Sequence, residues 1–163
     1  MHTYQPVMKE KIDNPGVFVP PPIVYALTFL FSMFLQREVP VTLLVNHYLT
    51  QGLGVIFIIT TIAILIAAIG RFIKSKNTLI TVKPANSLQT SGIYSFTRNP
   101  MYLGLALLYT GIALLMVNWW ALILLPVLVL IVTLFIIKPE ERYLERSFGL
   151  PYLKYKTEVR RWV

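Results

Sequence analysis

No charged residue occurs from Asn99 to Ile137, a run that would measure roughly 58 Å as a single helix. Ionised side chains are costly in hydrocarbon and a crossing helix needs about 20 apolar residues, so a run of this length predicts two passes through a bilayer. Asn118 lies at its midpoint, followed by Trp119 and Trp120. A polar turn beside aromatic residues that favour the membrane interface predicts a tight helical hairpin there. Pro126, midway along the second arm, is expected to kink that arm and open a crevice towards lipid.

Two further runs lack charge. Val39 to Gly70 would span about 48 Å as one helix, more than the hydrocarbon core, so Gly52 to Gly70 is expected to cross and Val39 to Gln51 to form a short interfacial or re-entrant piece. Gly52 and Gly54 are too short a pattern for a cofactor loop and are expected to serve helix packing, with His47 an interfacial polar residue. The run from Asn14 to Gln36 places Pro20, Pro21 and Pro22 before an apolar body from Ile23 to Leu35. Acidic residues beside Lys9 and Lys11, the three prolines and the lack of a small-residue cleavage site argue against a cleaved signal peptide. The expected fold is all-α: one integral membrane domain over 1–163 with about four transmembrane helices at 21–36, 52–70, 100–117 and 119–137. The loop over 71–99 and the helical tail over 138–163 share one face.

Composition agrees, since 56% of the residues are hydrophobic and 13% charged, too oily for an ordinary soluble fold. The formal net charge of +8 raises the question of a nucleic-acid partner. Position answers it: fourteen of the fifteen Lys and Arg residues fall in the amino terminus, the loop and the tail, Arg37 being the exception. That asymmetry follows from the positive-inside bias, which places both termini in the cytosol and makes nucleic acid an unnecessary partner. The chain has no cysteine, which excludes disulfides, thiolate metal sites and a cysteine nucleophile. His2 and His47 are its only histidines, and no paired His/Glu spacing suggests a metal.

The loop ahead of the third span reads Thr90-Ser91-Gly92-Ile93-Tyr94-Ser95-Phe96-Thr97-Arg98-Asn99-Pro100-Met101-Tyr102-Leu103-Gly104. Asn99 is a favourable N-cap and Pro100 suits a first helical turn, so the segment reads as a helix start with Arg98 as a positive-inside anchor. The same residues also suit a ligand. An arginine at a helix N-terminus, beside free backbone N–H groups, can take a carboxylate, and Tyr94, Phe96 and Tyr102 can face a sulfonium cation.

The tail begins Lys138-Pro139-Glu140-Glu141-Arg142-Tyr143-Leu144-Glu145-Arg146, again a pattern of helix initiation. Glu141 with Glu145 and Arg142 with Arg146 stack like charges four residues apart, at a cost of about 0.2–0.5 kcal/mol per pair. A partner from outside the helix, Arg98, a ligand amine or ribose hydroxyls, would offset the acidic pair. Beyond Pro151, the residues Tyr152, Tyr155, Val159 and Trp162 share one face at helical spacing. That face predicts either an amphipathic helix on anionic headgroups or a lid over a ligand.

Together these motifs resemble the isoprenylcysteine carboxyl methyltransferase family, in a compact bacterial-type form related to phospholipid methyltransferases. Residues 78–163 carry the resemblance. Thr78, Leu88 to Gly92, Tyr94, Arg98, Pro100, Tyr102 and Gly104 match the family's loop, and Glu140, Glu141, Leu144, Phe148, Gly149, Tyr152, Tyr155 and Val159 match its tail. The resemblance implies an S-adenosylmethionine cradle formed by Gly92, Tyr94, Arg98, Asn99, Pro100 and Tyr102 and closed by Glu140, Glu141 and the tail. It implies a membrane lipid or isoprenylated small-molecule acceptor in the inner cell membrane. Asn99 stands where many members carry histidine, and the sequence stops at Val163, short of the eukaryotic tail, which argues against prenylated protein ends as acceptor. No residue is identified as catalytic: methyl transfer from a sulfonium needs positioning more than a protein nucleophile. A membrane reductase using NADPH and a non-catalytic membrane adaptor are the competing readings.

Overall fold

The computed structural model describes residues 19–74 and 88–163. The amino-terminal lysines and Thr78 lie outside these. The described residues are helical with no strand: α1 (Pro21–Glu38), α2 (His47–Lys74), a 3-10 turn (Gly92–Ser95), α3 (Pro100–Leu115), α4 (Trp119–Val132), a π-helical turn (Thr133–Ile137), α5 (Lys138–Phe148) and α6 (Leu150–Glu158).

Two helices are long and apolar enough to cross a membrane unaided, His47–Arg71 and the continuous rod Trp119–Phe148, of which the apolar part ends at Ile137 ahead of Lys138. Only 17% and 28% of their most apolar windows are buried, whereas the core helix of a soluble protein would be mostly covered. Ile56, Ile59, Ile62 and Ile66 on α2 and Val127, Leu130 and Phe135 on the rod are exposed, an apolar surface far larger than water tolerates. α3 is apolar but has 16 residues, and α1 closes on Gln36-Arg37-Glu38. α2 starts five residues before the expected Gly52, so of the piece expected over Val39 to Gln51 only residues 39–46 lie outside the helix.

α2 packs along α3, and α1 lies chiefly against α4. Glycines set the α2–α3 crossing. A Cβ added at Gly111 would fall 3.0 Å from the Gly54 carbonyl oxygen, and one at Gly54 would fall 2.9 Å from the Gly111 carbonyl oxygen, so the two backbones touch as small residues allow in membranes. Gly104 likewise meets Leu65, and the Thr61 hydroxyl donates to the Gly104 carbonyl at 3.3 Å. Gly54 thus serves packing as expected, while Gly52 faces open space.

The hairpin forms at the expected residues. The Asn118 N–H donates to the Ala113 carbonyl at 2.9 Å and that of Val117 to Leu114 at 3.2 Å, the paired bonds that close a helix when the residue after its C-cap turns left-handed, here Val117 with φ 51°. Asn118 then caps α4 by accepting from the Ala121 N–H at 3.2 Å and donates to the Ser32 hydroxyl at 2.9 Å, tying the turn to α1. Trp120 donates to the Val39 carbonyl at 2.7 Å. The core joins Tyr25, Tyr102 and Tyr109 to Ala113, Ala121, Leu128, Val132, Ile136 and Ile137.

The rod stays α-helical through Pro126, which lies inside α4, and takes π geometry at Thr133–Ile137. The physical cause is Pro139: it has no N–H for the Phe135 carbonyl and its ring would press on that carbonyl in α geometry. The Lys138 N–H reaches back five residues to the Thr133 carbonyl, and the wider turn makes room. Pro139, expected to start a tail helix, therefore lies within a rod that runs on without a break from the apolar part of α4. Gly149, with φ 57°, then reverses the chain into α6.

Candidate functional site

α6 ends at Glu158, with Val159 extended at φ −121°, so the expected helical face stops after Tyr152 and Tyr155. Val159 and Trp162 lie on an extended segment. That segment crosses the loop: the Arg98 N–H donates to the Arg160 carbonyl at 3.0 Å, and the Arg161 carbonyl accepts from the Thr97 hydroxyl at 3.2 Å and the Asn99 amide at 3.0 Å. Trp162 donates to the Thr133 hydroxyl at the π-helical turn, 3.2 Å away. The Tyr155 hydroxyl donates to the Tyr94 carbonyl at 2.6 Å. Asn99 holds the N-cap position of α3, but its side chain makes no cap bond; its amide N–H donates to the Arg161 carbonyl in the tail.

Beneath this segment lies a buried charge cluster. The Glu141 carboxylate, 7% exposed, accepts from Arg161 Nε at 2.9 Å and from Arg161 Nη2 at 2.7 Å, and Arg98 Nη1 approaches it to 3.3 Å. This bond to Glu141 raises the Arg161 guanidinium above its ordinary value. The Arg98 side chain is 8% exposed, and neither Nε nor Nη1 has a hydrogen-bond acceptor. Buried guanidinium nitrogens without acceptors are uncommon and costly, so the cluster favours a further anionic or polar oxygen. Burial pushes the Tyr152 hydroxyl up to about 12, with Glu141 adding to the rise and Arg98 opposing it by charge and a hydrogen bond.

Glu140 looks the other way. The Tyr102 hydroxyl donates to it at 2.7 Å, and Tyr25 donates to the Tyr102 carbonyl at 3.3 Å. Desolvation pushes the Glu140 carboxyl up to about 7, the Tyr102 bond resisting and Glu141 adding to the rise. Burial likewise holds the Tyr94 and Tyr155 hydroxyls above their ordinary value, keeping them neutral donors.

Of the eight residues singled out, Arg98, Asn99 and Glu141 meet through Arg161 and the tail, Tyr102 and Glu140 form a separate hydrogen-bonded pair, and the Tyr94 carbonyl accepts from Tyr155, with Pro100 buried as the first residue of α3. Gly92 meets Arg71 of α2 instead: its φ is 68°, and a Cβ there would fall 2.7 Å from Arg71 Nε. The stacked glutamates each find a cation from outside α5, Glu141 from Arg98 and Arg161 and Glu145 from Lys156. Arg161 is the participant that sequence reasoning missed. Among the described residues no three His, Asp or Glu side chains gather as a metal site would require.

A family model described as phospholipid methyltransferase matches residues 48–150, more than half of the chain. An uncharacterized protein of Haemophilus influenzae is 40% identical over 63 residues, which are 39% of this chain and all of the relative. No solved structure matches. The matched residues contain the crossing helix α2, the loop, the hairpin and both glutamates, and the chain belongs to the phospholipid methyltransferase family, the family of isoprenylcysteine carboxyl methyltransferase-like membrane methyltransferases.

Proposed function

We propose that the protein methylates a lipid or isoprenyl-linked acceptor at the cytosolic membrane face, with S-adenosylmethionine as donor. The observation that carries this reading is the buried Arg98 with two nitrogens lacking acceptors beside the Glu141 carboxylate. An α-amino acid end carries a carboxylate and an ammonium, which complement an arginine and a glutamate. The residues present therefore fit the methionyl part of the cofactor, and Tyr94, Tyr152 and Tyr155 supply neutral rings and donors around it. When bound, the cofactor supplies an electrophilic methyl on sulfur.

Arg98 holds a carboxylate, Glu141 orients an ammonium, and the extended segment keeps water from the charge cluster. Positioning of this kind is the main requirement of an in-line displacement. Glu140, partly buried and titrating near neutrality, is suited to take the proton that an amine acceptor would release; a carboxylate acceptor would need no base. The apolar, exposed flanks of α1, α2 and the rod support lateral access for a lipid. In this reading α1 and α3 cross beside the two self-sufficient spans, giving four passes with loop and tail in the cytosol.

Calorimetric titration in lipid nanodiscs with S-adenosylmethionine, S-adenosylhomocysteine and NADPH tests the reading. Binding of the two adenosyl ligands alone, weakened in Arg98→Ala and Glu141→Ala, is expected. Binding of NADPH alone would favour a reductase, and no binding of any of the three would make a non-catalytic adaptor the leading reading.

A further inference from the structure

The pairing of Arg161 with Glu141 conflicts with the role just given to Glu141. Both carboxylate oxygens accept from one guanidinium, at 2.9 Å and 2.7 Å, and the side chain is 7% exposed. A bidentate, charge-assisted pair of this kind fixes its partner and covers it. No ammonium can approach those oxygens while Arg161 holds them.

The rest of the cluster is built differently. Arg98 Nη1 stands 3.3 Å from Glu141 as an ion pair, but neither it nor Nε makes a hydrogen bond, so Arg98 can take a carboxylate without surrendering one. The cluster thus has donors to spare for the anionic end of a zwitterion, whereas its partner for the cationic end is already occupied. The occupant comes from an extended segment, beyond the last helical residue Glu158. It can withdraw without unwinding a helix.

We propose that Arg161 is a gate and a specificity residue of the site: it stands in for the ligand's ammonium on Glu141, and a ligand with a complete amino-acid end displaces it. The proposal rests on the cofactor reading above. The same strap, residues 159–163, is tied down through the Arg160 and Arg161 carbonyls to Arg98, Thr97 and Asn99 and through Trp162 to Thr133. Displacement of Arg161 therefore loosens a strap whose other holds come from the loop and the rod. Asn99 serves the strap: its amide donates to the Arg161 carbonyl.

The test uses two ligands that differ only at the amino-acid end. S-adenosylhomocysteine carries it, whereas 5′-methylthioadenosine keeps the nucleoside and thioether without it. Removing the competitor by Arg161→Ala should tighten S-adenosylhomocysteine binding by about tenfold, the worth of one charge-assisted hydrogen bond, and leave 5′-methylthioadenosine unchanged. Arg161→Lys, which keeps one cationic contact, should fall between. Should Arg161→Ala not fold, hydrogen exchange of the wild-type chain gives the same decision: the Arg98 amide, which donates to the Arg160 carbonyl, should exchange faster with S-adenosylhomocysteine and unchanged with 5′-methylthioadenosine. Weaker binding of S-adenosylhomocysteine to Arg161→Ala, an equal change for both ligands, or unchanged or slower exchange of the Arg98 amide with S-adenosylhomocysteine would overturn the gate while leaving the cofactor reading standing. Binding of neither ligand to the wild-type protein would overturn both.

Discussion

Gly111→Ala measures how far the fold depends on backbone contact between α2 and α3. The added methyl would lie 2.9 Å from Ile58 Cγ1, 3.0 Å from the Gly54 carbonyl oxygen and 3.3 Å from the Ile58 nitrogen. Two of these are main-chain atoms, so no rotamer change relieves the contact and the helices must separate by a few tenths of an ångström. Overpacking of this kind costs about 1–3 kcal/mol, and the upper half of that range applies where backbone meets backbone. Alanine returns about 1 kcal/mol through its better helix propensity. The net expectation is a loss of about 1–2 kcal/mol. Gly52→Ala provides the control, because a Cβ there meets nothing within 4 Å, and should stabilise by up to about 1 kcal/mol. Unfolding of the purified variants by titration with a denaturing detergent, followed by circular dichroism, reads both. Equal stability of the two variants would refute the claim that the glycines hold this crossing.

Other expectations concern single groups. Glu140 binds its proton more tightly in the fold, near pH 7 against 4.5 for the free group. Its contribution to stability is therefore greatest below about pH 4.5 and falls as pH rises towards 7, so the difference between wild type and Glu140→Gln should vary across that window and be flat above it; a constant difference would contradict the burial argument. Asn118→Ala removes the cap of α4 and the bond to Ser32 and should lower stability by about 1–3 kcal/mol. Asn118→Asp keeps the cap acceptor and should recover part of the loss in the same unfolding titration.

The sequence carried the hairpin plainly, because a charge-free run longer than the bilayer leaves few alternatives and Asn118 offers the turn its polar group. It also carried half of the site. The like-charge stacking of Glu141 on Glu145 is unfavourable on a lone helix, and the structure supplies the external cations this demanded. Three local signals had two meanings. Pro139 before two glutamates fits a helix start as well as a proline tolerated after a wider turn. Asn99 before Pro100 fits a cap, yet its amide is taken by a carbonyl distant in sequence. Trp162 matches the periodicity of Tyr152 and Tyr155, but the helix ends at Glu158. For that reason Arg161 was not legible as a site residue, since nothing within a few residues of it reports a carboxylate twenty positions earlier.

The π-helical turn at Thr133–Ile137 separates two demands that one rod would otherwise have to meet together. A regular helix ties the phase of its last residues to that of its first, so the stripe that greets lipid would dictate the bearing of Glu140 and Glu141. Widening one turn inserts a residue's worth of rotation, about 100° about the axis. The rod behaves as two coaxial dials joined by a slipped tooth: its apolar part is free to evolve towards membrane thickness and neighbouring helices, while its polar part keeps one glutamate on Tyr102 and the other on the arginines.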